Sequence, residues 1–115
     1  MVAKFRGSKS LKQVLTYNEC KVTEGIARLI GEGGYGKDHE ILTFQEKLSR
    51  LTDLARRNWR TMNNAMHISL SFSRQDELDE RKLNMIVKDY LDCIGFGGQP
   101  YLVYKHLDTG HPHVH

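Results

Sequence analysis

Histidines crowd the last five residues of the chain, His111-Pro112-His113-Val114-His115, and their spacing constrains how this segment folds. Side chains along a β-strand point alternately to its two faces, so His113 and His115 project from the same face. Residues 101–106 also have the composition of a strand, and the segment between the two strands turns the chain back as a hairpin. This hairpin brings His106 opposite the other two histidines. We therefore predict that three imidazoles converge without any long-range contact.

Three imidazole nitrogens around one point form a ligand set for a divalent metal ion. A site with three protein ligands leaves coordination positions open for a substrate oxygen, as in catalytic rather than closed structural sites. We predict that His106, His113 and His115 bind the metal. A proline interrupts the strand beside His111, so we expect this residue to support a ligand histidine or face the substrate. Asp108 either accepts a hydrogen bond from a ligand imidazole or only starts the turn, and both readings stay open.

Hydrophobic periodicity and cap residues predict alternating strands and helices before the hairpin. The predicted elements are a strand over residues 2–6, a helix from the cap Ser8 to about Asn18, a glycine-rich loop over residues 31–37, a helix from the capping box Thr43/Glu46 to about Asn58, a break at Asn63-Asn64, a strand over residues 66–73, and a helix capped by Asp76 or Asp79 and stopped by Gly95. This pattern predicts one domain of mixed α and β structure.

Composition excludes several classes of protein. The chain has 115 residues, enough for one domain, and it contains no apolar run of the roughly 20 residues that span a bilayer. Its N-terminal residues lack the apolar stretch of a signal peptide. Cys20 and Cys93 lie far apart and form no Cys-x-x-Cys motif, which is typical of reduced thiols. We therefore expect a cytoplasmic protein without a membrane segment.

Basic residues are concentrated near the N-terminus, although the net charge of the chain is only +3. This cluster comprises Lys4, Arg6, Lys9, Lys12 and Lys21, and a second one comprises Arg50, Arg56, Arg57 and Arg60. Such clusters are compatible with contacts to phosphate groups. Charge alone favours a solvated helix face instead. Tyr17 lies near the end of the same basic helix, and its spacing alone favours an ordinary packed aromatic residue.

Four segments together resemble one family of nucleases. Residues 106–115 look like the three-histidine motif of the relaxases, the mobilization nucleases of conjugative and mobilizable elements, which belong to the class built around a His-hydrophobic-His motif. Residues 10–19 resemble the N-terminal nucleophile motif of the relaxases. Residues 67–72 and 97–104 are similar to further family segments, in the expected order, so the resemblance extends over nearly the whole chain.

The resemblance implies a fold, a reaction and a set of roles. The fold would be α+β, an antiparallel sheet with helices on one face, as in other His-hydrophobic-His nucleases. Relaxases cut one DNA strand at a transfer origin through a tyrosine that becomes linked to a 5′-phosphate. By the match, Tyr17 would be the nucleophile, assisted by a divalent ion such as Mg, Mn or Zn. Single-stranded or supercoiled DNA would be the substrate, and accessory mobilization proteins would be partners. The cluster of Lys4, Arg6, Lys9 and Lys12 would contact the DNA backbone near Tyr17.

Family nuclease domains continue beyond the three-histidine motif, which implies that residues 1–115 are the N-terminal portion of such a domain with an incomplete sheet. Two other functions stay open on this basis. One is a truncated module that binds DNA or metal without cleaving. The other is a rolling-circle replication initiator of the same nuclease class.

Overall fold

Strands and helices alternate along the chain in the computed structural model, which describes residues 1–8, 10–57, 65–108 and 110–115. The elements are β1 (Val2–Ser8), α1 (Leu11–Thr23), β2 (Ala27–Gly33), α2 (Phe44–Arg57), β3 (Ala65–Ser71), α3 (Glu80–Cys93), β4 (Tyr101–His106) and β5 (His113–Val114). A short 3₁₀ turn, His39–Ile41, precedes α2. The predicted break at Asn63-Asn64 lies outside the described residues.

The five strands of the described residues form one sheet in the order β1-β3-β5-β4-β2, and each neighbouring pair is antiparallel. The short β5 lies at the centre, between β3 and β4. Its pairing with β4 continues beyond Val114. The amide of His115 donates to the carbonyl of Tyr104 at 2.7 Å, and the amide of Tyr104 donates to the carbonyl of His115 at 2.8 Å. The predicted hairpin of β4 and β5 is confirmed, and with it the antiparallel α+β class.

The hydrophobic core lies between α3 and one face of the sheet. Leu83 of α3 is fully buried, and Val103 of β4 and Val114 of β5 are 2% exposed. The core cluster comprises Ile30, Leu70, Phe72, Leu83, Val87, Leu91, Val103 and Val114. Its α3 members recur every four residues, which is the spacing of one helix face. The hydrophobic periodicity of this helix therefore marks the face that packs on the sheet.

The opposite face of the sheet carries α1, which corrects the prediction that the helices lie on one face. Asn18 and Glu19 of α1 contact His106 and Tyr104 of β4. Those two β4 residues alternate with the core residue Val103 and therefore project from the other side of the strand. Polar contacts, which give no periodic signal in the sequence, position α1 there.

The start of α1 also differs from the prediction. Ser10 caps this helix, its side chain accepting a hydrogen bond from the amide of Gln13 at 3.2 Å, whereas the predicted cap Ser8 belongs to β1. The helix also continues past the predicted end at Asn18 to Thr23. The chain leaves the helical conformation only at Gly25, which has the left-handed φ of 81° that favours glycine.

The caps of the other two helices follow the sequence closely. Thr43 and Glu46 form the predicted capping box, each side chain accepting a hydrogen bond from the other residue's amide at 3.2 Å. Of the two caps considered for α3, Asp79 is the one used, since its carboxylate accepts from the amide of Lys82 at 2.8 Å. Asp76 instead accepts from the amide of Ser73 in the preceding turn.

The glycine-rich segment is only partly a loop. Its first three residues, 31–33, belong to β2, which forms an edge of the sheet and pairs with β4. The sequence pattern did not indicate β2, because glycines weaken the strand signal. The ring of Tyr101 lies against Gly33 where a Cβ atom would be, so this position accepts only glycine without a shift of the ring.

Candidate metal centre

Three histidine rings meet on the sheet face that α1 covers. His106 and His113 are directly opposed in the β4–β5 register, and His115 lies two residues further along the same face. The ring centroid of His106 is 3.8 Å from that of His115 and 5.3 Å from that of His113. One nitrogen from each ring lies within 4.8 Å of the others. The structure thus brings together the three histidines that the hairpin argument selected.

Asn18 fixes the hydrogen on the ring of His106. Its side-chain amide donates to the carbonyl of Val14 at 3.0 Å, which leaves Asn18 Oδ1 facing His106 Nε2 at 2.9 Å. Because Oδ1 only accepts, Nε2 carries the hydrogen and Nδ1 of the neutral ring retains its lone pair. Asn18 is 4% exposed, so water does not compete for this hydrogen bond.

His67 on β3 plays the corresponding part for His115. His67 Nε2 lies 2.8 Å from His115 Nδ1, and the two rings are 4.9 Å apart. One nitrogen of the pair must donate and the other accept. If His115 Nδ1 donates, its Nε2 keeps a lone pair and can bind a metal ion.

His113 contacts two residues of the turn between β4 and β5. Its Nδ1 is 3.4 Å from the carbonyl oxygen of His111, which can only accept, so in the tautomer that donates to this oxygen Nε2 has the lone pair. Asp108 Oδ1 lies 3.7 Å from that Nε2, too far for a hydrogen bond. Two electron-rich atoms at this separation favour a cation beside them. The imidazole of His111 is exposed, and its centroid is 5.7 Å from that of His113.

Burial favours the neutral form of the imidazoles of His67, His106 and His115. Burial, together with the nearby His113, lowers the pKa of His106 to about 4. Burial also lowers the pKa of His115 to about 3, again with help from neighbouring histidines. The pKa of His67 is lowered by burial and by the adjacent Arg6. Metal ligands must be unprotonated, so this donor set fits a divalent ion.

Tyr17 lies beside the histidine cluster rather than in the core. Its side chain is 50% exposed, and its ring centroid is 6.4 Å from that of His106. The ammonium of Lys21, one helical turn later, is 5.3 Å from the Tyr17 ring centroid. Spacing alone favours a packed aromatic residue at this position, but Tyr17 is exposed. The exposed hydroxyl-bearing ring is open to a ligand approaching the histidines.

A buried ion pair docks α1 on this face. Lys47 of α2 is 7% exposed, and its ammonium contacts Glu19 Oε1 at 2.6 Å. The other carboxylate oxygen of Glu19 accepts from the hydroxyl of Tyr104 at 3.1 Å. Glu19 thereby joins two helices to β4, two residues beyond Tyr17. This contact and the Asn18–His106 bond fix the position of α1 relative to the histidines.

The basic residues are only partly assembled near the cluster. Lys4 and Arg6 are exposed on β1, opposite Ser69 and His67 of β3. Directly opposed residues share a face, so both cations lie on the face that carries the histidines. Lys12 is exposed on α1, and Lys9 lies outside the described residues.

Sequence reasoning passed over two residues of this centre, Asn18 and His67. Strand alternation already placed His67 on the polar face of its strand, which was a usable signal. Asn18 gave none beyond its position next to Tyr17, because a hydrogen bond to a residue 88 positions away leaves no local pattern.

Comparisons with known proteins gave one finding. A family model described as the nuclease domain of MobA/VirD2-like relaxases matches residues 17–115. Searches of curated proteins and of solved structures gave no significant match. Among the described residues, no helix combines the length and the apolar character that a bilayer crossing requires.

Proposed function

The chain belongs to the MobA/VirD2-like relaxase family, and from its candidate metal centre we propose that it cuts one DNA strand at a transfer origin with Tyr17 as the nucleophile. The supporting observation is the exposed Tyr17 ring, 6.4 Å from the His106 ring, on a helix docked against the histidine cluster. A nucleophile and a phosphate-activating centre must lie this close for one phosphodiester to contact both.

In the proposed reaction, the Tyr17 oxygen attacks the scissile phosphorus, and the bond from phosphorus to the 3′-oxygen breaks. The tyrosine hydroxyl loses its proton and the departing 3′-oxygen gains one, which leaves a 5′-phosphotyrosyl link and a free 3′-hydroxyl. His106, His113 and His115 would hold the divalent ion. When bound, this ion stabilises negative charge on the phosphate oxygens. Because the covalent link conserves the phosphodiester energy, the strand can be rejoined without ATP.

The neighbouring residues would orient this machinery. Asn18 and His67 hold the rings of His106 and His115, and metal-bound imidazoles need such partners to keep their orientation. Lys4 and Arg6, with Lys9 and Lys12, would contact the DNA backbone. The polar face of β3, the strand between β1 and β5, leads from these cations to the histidines. We place this reaction in the cytoplasm, with accessory mobilization proteins as further partners.

The test of this function is covalent capture of DNA. Single-stranded oligonucleotides that tile the transfer origin of the encoding element are incubated with the protein and manganese or magnesium. We expect an adduct that survives denaturing electrophoresis, with mass spectrometry locating the nucleotide on Tyr17. Tyr17→Phe should abolish the adduct, while the matched variant Tyr90→Phe on α3, across the sheet, should retain it.

Two outcomes would contradict the proposal. An adduct that persists in Tyr17→Phe would reject the nucleophile. Salt-dependent DNA binding with no adduct, even with the metal bound, would support the non-catalytic binding module instead.

The proposed DNA path has its own measurement. Single-strand binding weakens with salt by about 0.7 log units per tenfold change for each phosphate contact. Replacing Lys4 or Arg6 by alanine should therefore reduce the slope by about that amount per residue. Lys88→Ala, an equal loss of charge from α3, should leave the slope unchanged, and a similar loss there would reject the path.

A further inference from the structure

Lys21 connects the helix of Tyr17 to the turn of the histidine hairpin. It lies four residues after Tyr17, on the same side of α1, with its ammonium 5.3 Å from the Tyr17 ring centroid. The same ammonium forms an ion pair of 2.6 Å with Asp108 Oδ2. The other oxygen of that carboxylate is 3.7 Å from His113 Nε2. Asp108 therefore extends from a cation beside Tyr17 to an imidazole of the cluster.

A scissile phosphate would have to lie within reach of the same ammonium. A phosphodiester that contacts both Tyr17 and the histidine centre must pass between them, and its two anionic oxygens resemble those of a carboxylate in charge and arrangement. The Asp108 carboxylate already pairs with the ammonium beside Tyr17 and lies 3.7 Å from His113 Nε2. Two anions this close repel each other, so the carboxylate and the phosphate cannot both pair fully with Lys21.

We propose that Lys21 binds the phosphodiester backbone at the nicking site, and that Asp108 neutralises Lys21 until single-stranded DNA displaces the carboxylate. The proposal rests on the function proposed above, and it adds a phosphate-binding residue and an internal anion that occupies its site. Arrival of DNA exchanges one anionic partner of Lys21 for another, and the displaced carboxylate of Asp108 turns to solvent.

Two properties of the pair support this exchange. The side chains of Lys21 and Asp108 are 21% and 26% exposed, so a ligand reaches them without unfolding of the turn. Ion pairs with this degree of exposure contribute little to stability and open readily.

The experiment measures DNA binding without cleavage. In a Tyr17→Phe background without metal, the affinity for a short labelled single strand is followed by fluorescence anisotropy over a range of salt concentrations. Asp108→Asn should bind more tightly, with a salt slope steeper by up to about 0.7, the contribution of one phosphate contact. In the double variant that combines Asp108→Asn with Lys21→Met, this gain in affinity should be absent. Asp89→Asn, an equal charge change on α3, should not reproduce it.

The proposal is overturned if Asp108→Asn binds no more tightly, or if its gain persists without Lys21. Lys21→Arg and Lys21→Met provide a second comparison that does not alter the turn. Arginine keeps the charge and should keep the slope, whereas methionine should reduce it, and equal slopes would reject a phosphate contact. These binding measurements do not need the nucleophile. A negative result in them is therefore distinguishable from a failure to form the Tyr17 adduct.

Discussion

The side chain of Asn18 determines which nitrogen of His106 carries hydrogen, and its removal has a calculable consequence. Asn18→Ala leaves His106 Nε2 without its partner at a position that is 3% exposed. An unsatisfied buried donor costs about 1–3 kcal/mol, and we expect the free energy of unfolding to fall by that amount. Urea denaturation measures it. Thr16→Ala, at an exposed position of the same helix, should change little, and an equal loss there would indicate a general helix effect.

His67 should affect the metal more than the fold. Its Nε2 is the hydrogen-bond partner of His115 Nδ1, and removing such partners typically weakens metal affinity about 10–100-fold. We expect His67→Ala to show this loss when zinc or manganese binding is titrated by calorimetry. Ser69→Ala, the next residue on the same face of β3, should bind the metal as the unaltered protein does. Unchanged affinity in His67→Ala would mean that the ring of His115 is oriented without it.

At the scale of elements, the ion pair between Glu19 and Lys47 holds α1 and α2 together over β4. Lys47→Met would leave the Glu19 carboxylate without its cation in a site where the lysine side chain is only 9% exposed. We expect a loss of about 1–3 kcal/mol in unfolding free energy and slower adduct formation, since Tyr17 lies on the displaced helix. Adding Glu19→Gln should recover part of the stability, because no buried charge is then unpaired. Additive losses would show that the pair is not coupled.

The elements themselves were predictable where their signals are local. The β4–β5 hairpin follows from alternation and a short turn, so the convergence of His106, His113 and His115 was readable from spacing. The Thr43/Glu46 box and the Asp79 cap are contacts over three residues and were equally readable. The strand β2 was not, because its glycines resemble a loop and its pairing with β4 joins residues 68 to 79 positions apart. The placement of α1 on the second face depends on Asn18 and Glu19, whose partners are also distant in sequence.

At the scale of the whole molecule, one face of the sheet carries the hydrophobic core and the other carries the polar site. The face under α3 holds the hydrophobic core and supplies most of the burial that stabilises the fold. The face under α1 contains neutral histidines, a buried ion pair and the exposed Tyr17. Because the folded state favours the neutral form of His106 and His115, it can accept a cation there, and its stability depends on pH.

That dependence can be predicted with its sign. The unfolded chain binds protons at its histidines near pH 6.5, whereas burial lowers the pKa of His106 to about 4 and that of His115 to about 3 in the folded state. Below about pH 6.5 the unfolded state therefore binds more protons, and the stability of the metal-free protein should fall progressively towards pH 4. A divalent ion binds only the deprotonated folded form, so it should raise Tm at neutral pH and lose this effect over the same acid range.

Thermal melts between pH 7 and pH 4, with manganese or with a chelator, measure both effects. His106→Gln should flatten the metal-free profile. A metal-free Tm that stays constant over this range would contradict neutral burial of the cluster.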